Sequence, residues 1–128
     1  MFFLKYIGRL AVAKRVIEWY GNRRKNRWEQ KMEETGIRKE VIEEIRNFAR
    51  KYQVKKVILF GSRARGDYKR TSDIDIAVSG GDFAEFALDV EEETSTLLEF
   101  DIVNLDREMQ DELREAIERE GKLLYEKV

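Results

Sequence analysis

The chain has 128 residues, 40% of them charged, with 25 Lys/Arg against 26 Asp/Glu and a formal net charge of -1. That is enough for one domain with a moderate core and a single active centre. It contains no Cys, His or Pro, which excludes a disulfide framework, a thiol nucleophile, a His-ligated zinc and an imidazole base, and leaves any chemistry to carboxylates.

The near-neutral total hides an asymmetry. Residues 1–31 carry nine Lys/Arg and two Asp/Glu, so the remainder has a net charge of -8. General nucleic-acid binding, which shows as a basic surface, is therefore not expected of residues 32–128. Within residues 1–31, Phe3, Ile7, Leu10, Ala13, Ile17 and Tyr20 recur at helical spacing among Lys5, Arg9, Lys14 and Arg15, which predicts a basic amphipathic helix. An added helix on the domain or an upstream extension, with Met32 as an internal start, is favoured over docking on a membrane surface, RNA or a partner. Charges interrupt its apolar runs, so neither a signal peptide nor a transmembrane segment of about 20 residues is expected, and the protein is expected in the cytoplasm.

From Thr35, a residue able to cap a helix, Ile37, Val41, Ile45, Phe48, Ala49 and Tyr52 form a helical stripe that ends in Arg50-Lys51. The apolar run Val57-Ile58-Leu59-Phe60 reads as a buried strand and leads directly into Gly61-Ser62. Ten residues after Ser62 the chain returns to a strand, Asp73-Ile74-Asp75-Ile76-Ala77-Val78. Asp82, with Glu85 three residues on, predicts a capped helix with Phe83, Phe86, Ala87, Val90, Leu97 and Leu98 inward and Glu91, Glu92 and Glu93 on its solvated face. Glu99-Phe100-Asp101-Ile102-Val103-Asn104 reads as a third strand. Asp106 can cap a last helix that buries Met109, Leu113, Ala116 and Ile117 and stops at Gly121; Leu123-Leu124-Tyr125 follows as a strand or a helical turn.

Alternation along a strand sends Ile74, Ile76 and Val78 to one face and places Asp73 and Asp75 side by side on the other. Two like charges roughly 7 Å apart repel by about 2 kcal/mol at an effective dielectric of about 20, so a cation is expected between them. Hard divalent ions take oxygen ligands, and Mg²⁺ is commonly held by one or two carboxylates with substrate phosphates. A calcium EF-hand loop is excluded, because the twelfth position from Asp73 is Ala84 where a bidentate Glu is required. A glycine after a buried strand lets a phosphate approach the backbone, and Ser62 adds a hydroxyl and exposed N–H groups. Arg63 and Arg65 flank this turn and either can place a guanidinium on a triphosphate.

The order of strand, Gly61-Ser62, ten residues, Asp73-Ile74-Asp75 resembles the nucleotidyltransferase superfamily typified by DNA polymerase beta. Within it the chain is similar to the small prokaryotic minimal nucleotidyltransferases, the MntA-type antitoxins paired with HEPN-domain toxins, whose pattern is G-S-x10-D-x-D. The resemblance runs from about Met32 to the end and implies a nucleotidyltransferase domain over residues 32–128, with residues 1–31 as a basic extension. It implies an α/β (α+β) fold with a small mixed sheet flanked by helices. It also implies that Asp73 and Asp75 bind two Mg²⁺ ions and that Gly61 and Ser62 hold the triphosphate, with Arg63 and Arg65 as further nucleotide contacts. A third carboxylate on a later strand completes the family's site. Asp101, followed by Ile102-Val103, matches that pattern, and Glu99 on the same strand face is the alternative.

The expected reaction is transfer of a nucleotidyl group, AMP from ATP by the resemblance, to an acceptor hydroxyl with loss of pyrophosphate. Residues 32–128 leave little material to enclose a second substrate, so the acceptor surface is expected on a partner. By the resemblance that partner is a HEPN-type ribonuclease toxin in a hetero-oligomer. The alternatives are a small-molecule acceptor, as in the aminoglycoside enzymes, and a subunit that neutralises its toxin by binding alone.

Overall fold

A computed structural model describes residues 27–128. The predicted helix within residues 1–26 lies outside the described residues. The chain divides at Gln30/Lys31, and the unit Lys31–Val128 holds the sheet.

The elements run α1 (Arg27–Glu33), α2 (Lys39–Lys51), β1 (Lys56–Phe60), α3 (Ser62–Arg65), β2 (Ile74–Ser79), α4 (Phe83–Glu93), β3 (Phe100–Asn104), α5 (Asp111–Glu120) and β4 (Lys122–Glu126). The four strands form one mixed sheet in the order β3-β2-β1-β4. β1 pairs antiparallel with β2 and with β4, while β2 and β3 run parallel. A parallel pair needs a crossover, which α4 supplies. The C-terminal apolar run is therefore a strand, hydrogen-bonded to the far side of β1 with a register shift between Val57 and Ile58.

The two sheet faces are covered differently. Val57 and Leu59 of β1, Ile74, Ile76 and Val78 of β2 and Leu124 of β4 pack with Val41, Ile42, Ile45 and Ala49 of α2 and Phe86 and Val90 of α4 in the main core. The four α2 residues form one stripe of an amphipathic helix, with Glu40 in its first turn and Arg50 and Lys51 in its last to complement the helix dipole. The opposite face is thinner: Phe60, Ala77 and Ile117 are buried, flanked by Ile58, Val103, Leu105, Met109 and Leu113.

Several local expectations shift. Asp82 does cap α4, its side chain accepting the Glu85 N–H at 3.3 Å. Thr35 does not cap α2, which starts after Arg38 without a side-chain cap; its hydroxyl donates to the Met32 carbonyl at 2.6 Å and accepts from the Ile37 N–H, closing the α1–α2 turn. Asp106 likewise gives up the capping role, since α5 starts after Gln110. Its carboxylate takes the Gly80 N–H at 2.7 Å and the Ser79 hydroxyl at 3.1 Å, joining the turns after β2 and β3. Leu97 is fully exposed because α4 ends at Glu93, three residues short of continuing its stripe.

Candidate active site

Asp75 lies in β2 directly between Phe60 of β1 and Asp101 of β3. Side-chain alternation puts it with Ala77 on the α5 side of the sheet, opposite Ile74 and Ile76. Asp73, one residue ahead of β2, shares that face and is exposed, as is Asp101. Asp75 itself is half-buried, and its carboxyl is pushed up to about 6, first by burial, then by the charges of Asp101 and Asp73, with Arg65 opposing and Glu120 adding slightly. Both desolvation and like charges disfavour the carboxylate form. Glu99 is not among the groups acting on Asp75; its backbone carbonyl accepts the Ile74 N–H at 2.9 Å as the parallel ladder begins.

Gly61 makes this placement possible. Its φ of 77° and ψ of -159° fall in a region that only glycine occupies readily. A Cβ there would stand 2.1 Å from Oδ2 of Asp75. The glycine thus admits a carboxylate as well as any ligand the turn receives. Ser62 follows as the first residue of α3 and is half-buried.

The two arginines of the turn separate. Arg63 is only 2% exposed and points inward, a correction to its expected place on the triphosphate. Its guanidinium donates to the carbonyls of Ser72 (3.0 Å), Thr35 (3.0 Å), Arg70 (3.2 Å) and Lys69 (3.4 Å), and it lies 4.7 Å from the centre of the Tyr68 ring. A buried guanidinium is tolerated when its donors are satisfied in this way. Arg65 stays exposed at the mouth of the site and pairs with Asp67 at 3.3 Å and with Glu120 at 3.1 Å.

Glu120 was not singled out by the sequence. Its carboxylate accepts the Gly61 N–H at 3.2 Å and Arg65 Nη1 at 3.1 and 3.3 Å, and its side chain is 13% exposed. One signal was available: Glu120 ends a helix whose dipole disfavours an anion there, so an acid in that position asks for donors elsewhere.

Among the described residues no group of three or more acidic side chains is gathered tightly enough to hold one metal ion as it stands. The donor chemistry nevertheless fits a hard cation. The groups are all oxygens, and the like charges of Asp73 and Asp101 raise Asp75 in a way that a cation would reverse.

A mixed sheet that sets a Gly-Ser turn against a carboxylate strand, with a further Asp on the parallel neighbour, defines the nucleotidyltransferase class of site. The family described as polymerase beta nucleotidyltransferase matches residues 43–128, and the chain belongs to it. Over 51 residues, 40% of this chain, it is 45% identical to a protein of Methanocaldococcus jannaschii named as a protein adenylyltransferase; the chain spans about half, 49%, of that relative's length. Among solved structures it is similar to a chain of a toxin–antitoxin crystallised with AMP-PNP, at 26% identity and a TM-score of 0.55, covering 67% of this chain and 73% of that one. A mutant MntA–HpeT toxin–antitoxin gives 26% identity and a TM-score of 0.52, covering 66% and 72%. No helix among the described residues is long and apolar enough to cross a membrane.

Proposed function

We propose that this protein is an antitoxin that transfers AMP from ATP to a hydroxyl on its partner toxin, a HEPN-type ribonuclease, in a hetero-oligomer. The observation that carries the reading is Asp75 facing Asp101 across β2 and β3 with Gly61 pressed against its carboxylate. Similarity to toxin–antitoxin structures, one of them with AMP-PNP, supports the nucleotide and the kind of partner. The small sheet of Lys31–Val128 supports an acceptor brought by a second protein.

Asp73, Asp75 and Asp101 would hold two Mg²⁺ ions. Bound there, the metal supplies neutralisation of the triphosphate and a lowered pKa for the acceptor hydroxyl. The Gly61 backbone and the Ser62 hydroxyl bind the phosphates, and Arg65 offers them a guanidinium. The half-buried Asp75 would present its oxygens to the metal beside the sheet, and the exposed Asp101 would face the incoming acceptor and take its proton. The use of ATP in this reading supports a cytoplasmic location.

The test is intact-mass analysis of the co-expressed partner after incubation with ATP and Mg²⁺, using wild type and Asp73→Asn. An AMP-sized gain is expected with wild type, falling by about 10²–10³-fold in rate for the variant, the scale of losing one charge-stabilising group. No gain with wild type overturns the reading. If the toxin is then still neutralised, binding alone accounts for it; turnover of an aminoglycoside by the isolated protein would instead place the acceptor among small molecules.

A further inference from the structure

Glu120 contacts the two groups that a phosphate oxygen would seek at this turn: the Gly61 backbone N–H and the Arg65 guanidinium. Neither contact is made by a loose surface side chain, since the carboxylate is 13% exposed while Arg65 leans over it from solvent at 45%. The carboxylate also approaches from a different element. It belongs to the last residue of α5, just before Gly121, where a Cβ would meet the Ile117 carbonyl at 2.4 Å and Ile58 Cγ2 at 2.6 Å. The close seat of Gly121 on β1 fixes where the end of α5 lies, and hence where Glu120 reaches.

A carboxylate and a phosphate present similar oxygens to the same donors. Both cannot occupy the Gly61 N–H, because a backbone amide has one hydrogen to give. Glu120 also adds negative charge beside Asp75, where Asp73 and Asp101 already crowd the site with like charge. A triphosphate arriving at the turn therefore meets a bound internal anion as well as two free-standing acids.

We propose that Glu120 is an internal phosphate mimic: it competes with the triphosphate for Gly61 and Arg65 and so sets the affinity of the site for nucleotide. The proposal rests on the reading of Gly61-Ser62 as the phosphate turn. When nucleotide binds, the Gly61 N–H and Arg65 pass from Glu120 to phosphate oxygens and the carboxylate swings off the turn. The device weakens binding of the triphosphate moiety specifically; it does not act on recognition of the nucleoside.

The experiment measures binding of Mg²⁺–AMP-PNP, Mg²⁺–tripolyphosphate and adenosine to the full chain by calorimetry, for wild type, Glu120→Gln and Glu118→Gln. Glu118 is an exposed acid two residues earlier on the same helix, so its variant removes the same formal charge without the contact. Glu120→Gln is expected to tighten AMP-PNP and tripolyphosphate about tenfold to a hundredfold, the range for one charge-assisted hydrogen bond, and to leave adenosine unchanged. An equal gain in Glu118→Gln would assign the effect to overall charge and overturn the proposal. Unchanged or weaker polyphosphate binding in Glu120→Gln would overturn it too, leaving the phosphate turn intact as long as wild type binds. Failure of wild type to bind either polyphosphate ligand would overturn the site reading itself. A measurement on wild type removes dependence on any variant's folding: in ¹⁵N spectra the Gly61 amide and Arg65 Nη resonances are expected to move together on addition of Mg²⁺–AMP-PNP, because both donate to Glu120 beforehand. A Gly61 amide that stays in place while nucleotide binds would overturn the proposal.

Discussion

The two faces of the sheet divide the labour of the molecule. On one side, α2 and α4 close over Val57, Leu59, Ile74, Ile76 and Val78, all fully buried. On the other, α5 sets Ile117 over Phe60 and Ala77 of the sheet, and the same face carries Asp73, Asp75 and Asp101. One strand serves both: β2 sends every second residue into a dry core and the intervening ones toward charge. Stability is concentrated where the face is doubly covered. Chemistry is placed where coverage is thin, because a site must admit solvent, ions and substrate.

Substitutions on each side should separate these roles. Ile76→Ala, on the core face, is expected to have the largest effect on folding, a loss of about 2–5 kcal/mol in urea unfolding, with nucleotide affinity of the folded protein preserved. A loss well below that range would mean the core can close over the cavity, and the division between faces would weaken. Gly61→Ala should cost about 1–3 kcal/mol from its backbone conformation alone. Its methyl group also collides with Asp75, so nucleotidyl transfer should fall further than unfolding measurements explain; parallel losses in both would reduce Gly61 to a purely structural residue.

The smallest expected change is a gain. Asp75→Asn removes a carboxyl whose folded pKa of about 6 lies above its ordinary 3.8. The folded state therefore binds the proton more tightly than the unfolded state. The group's stabilising contribution is complete below about pH 3.8 and is lost as pH rises through about 6. At pH 7 the variant should be more stable than wild type by on the order of 1 kcal/mol, after discounting for the solvent screening of a half-exposed group. The difference should shrink toward pH 4 in thermal melts read at both pH values. A destabilised Asp75→Asn at pH 7 would show that the carboxylate is structurally required there.

Local pattern made much of this arrangement legible. The stripe of α2, the strand before Gly61, the alternation of β2 and the Asp82–Glu85 cap all depend on neighbours within a few residues, and they appear where the sequence puts them. What eluded the sequence depends on distant partners. Asp106 has the chemistry of a helix cap, but its carboxylate is taken by Ser79 and Gly80, 27 and 26 positions behind; Thr35 is the local exception, closing the turn between Met32 and Ile37 instead of capping α2. Arg63 and Arg65 look alike in sequence; the carbonyls that draw Arg63 inward come from residues 6 to 9 positions ahead and from Thr35, 28 positions behind. Glu120 lies 59 residues from Gly61, and only the pairing of β4 with β1 brings the end of α5 to the turn.

The buried guanidinium of Arg63 also gives the segment between the Gly-Ser turn and the Asp strand a fixed length. It grips that segment at Lys69, Arg70 and Ser72 and anchors it to Thr35, so the chain is measured off against a single rigid fork. Residues such as Lys69 and Thr71, whose side chains face solvent, are free to drift in identity, but an inserted or deleted residue would slide the carbonyls out of reach and carry Asp73 and Asp75 off their register. The ten-residue interval behaves as a ruler: its exposed side chains can be exchanged without touching the grip of Arg63, whereas a change of its length breaks that grip.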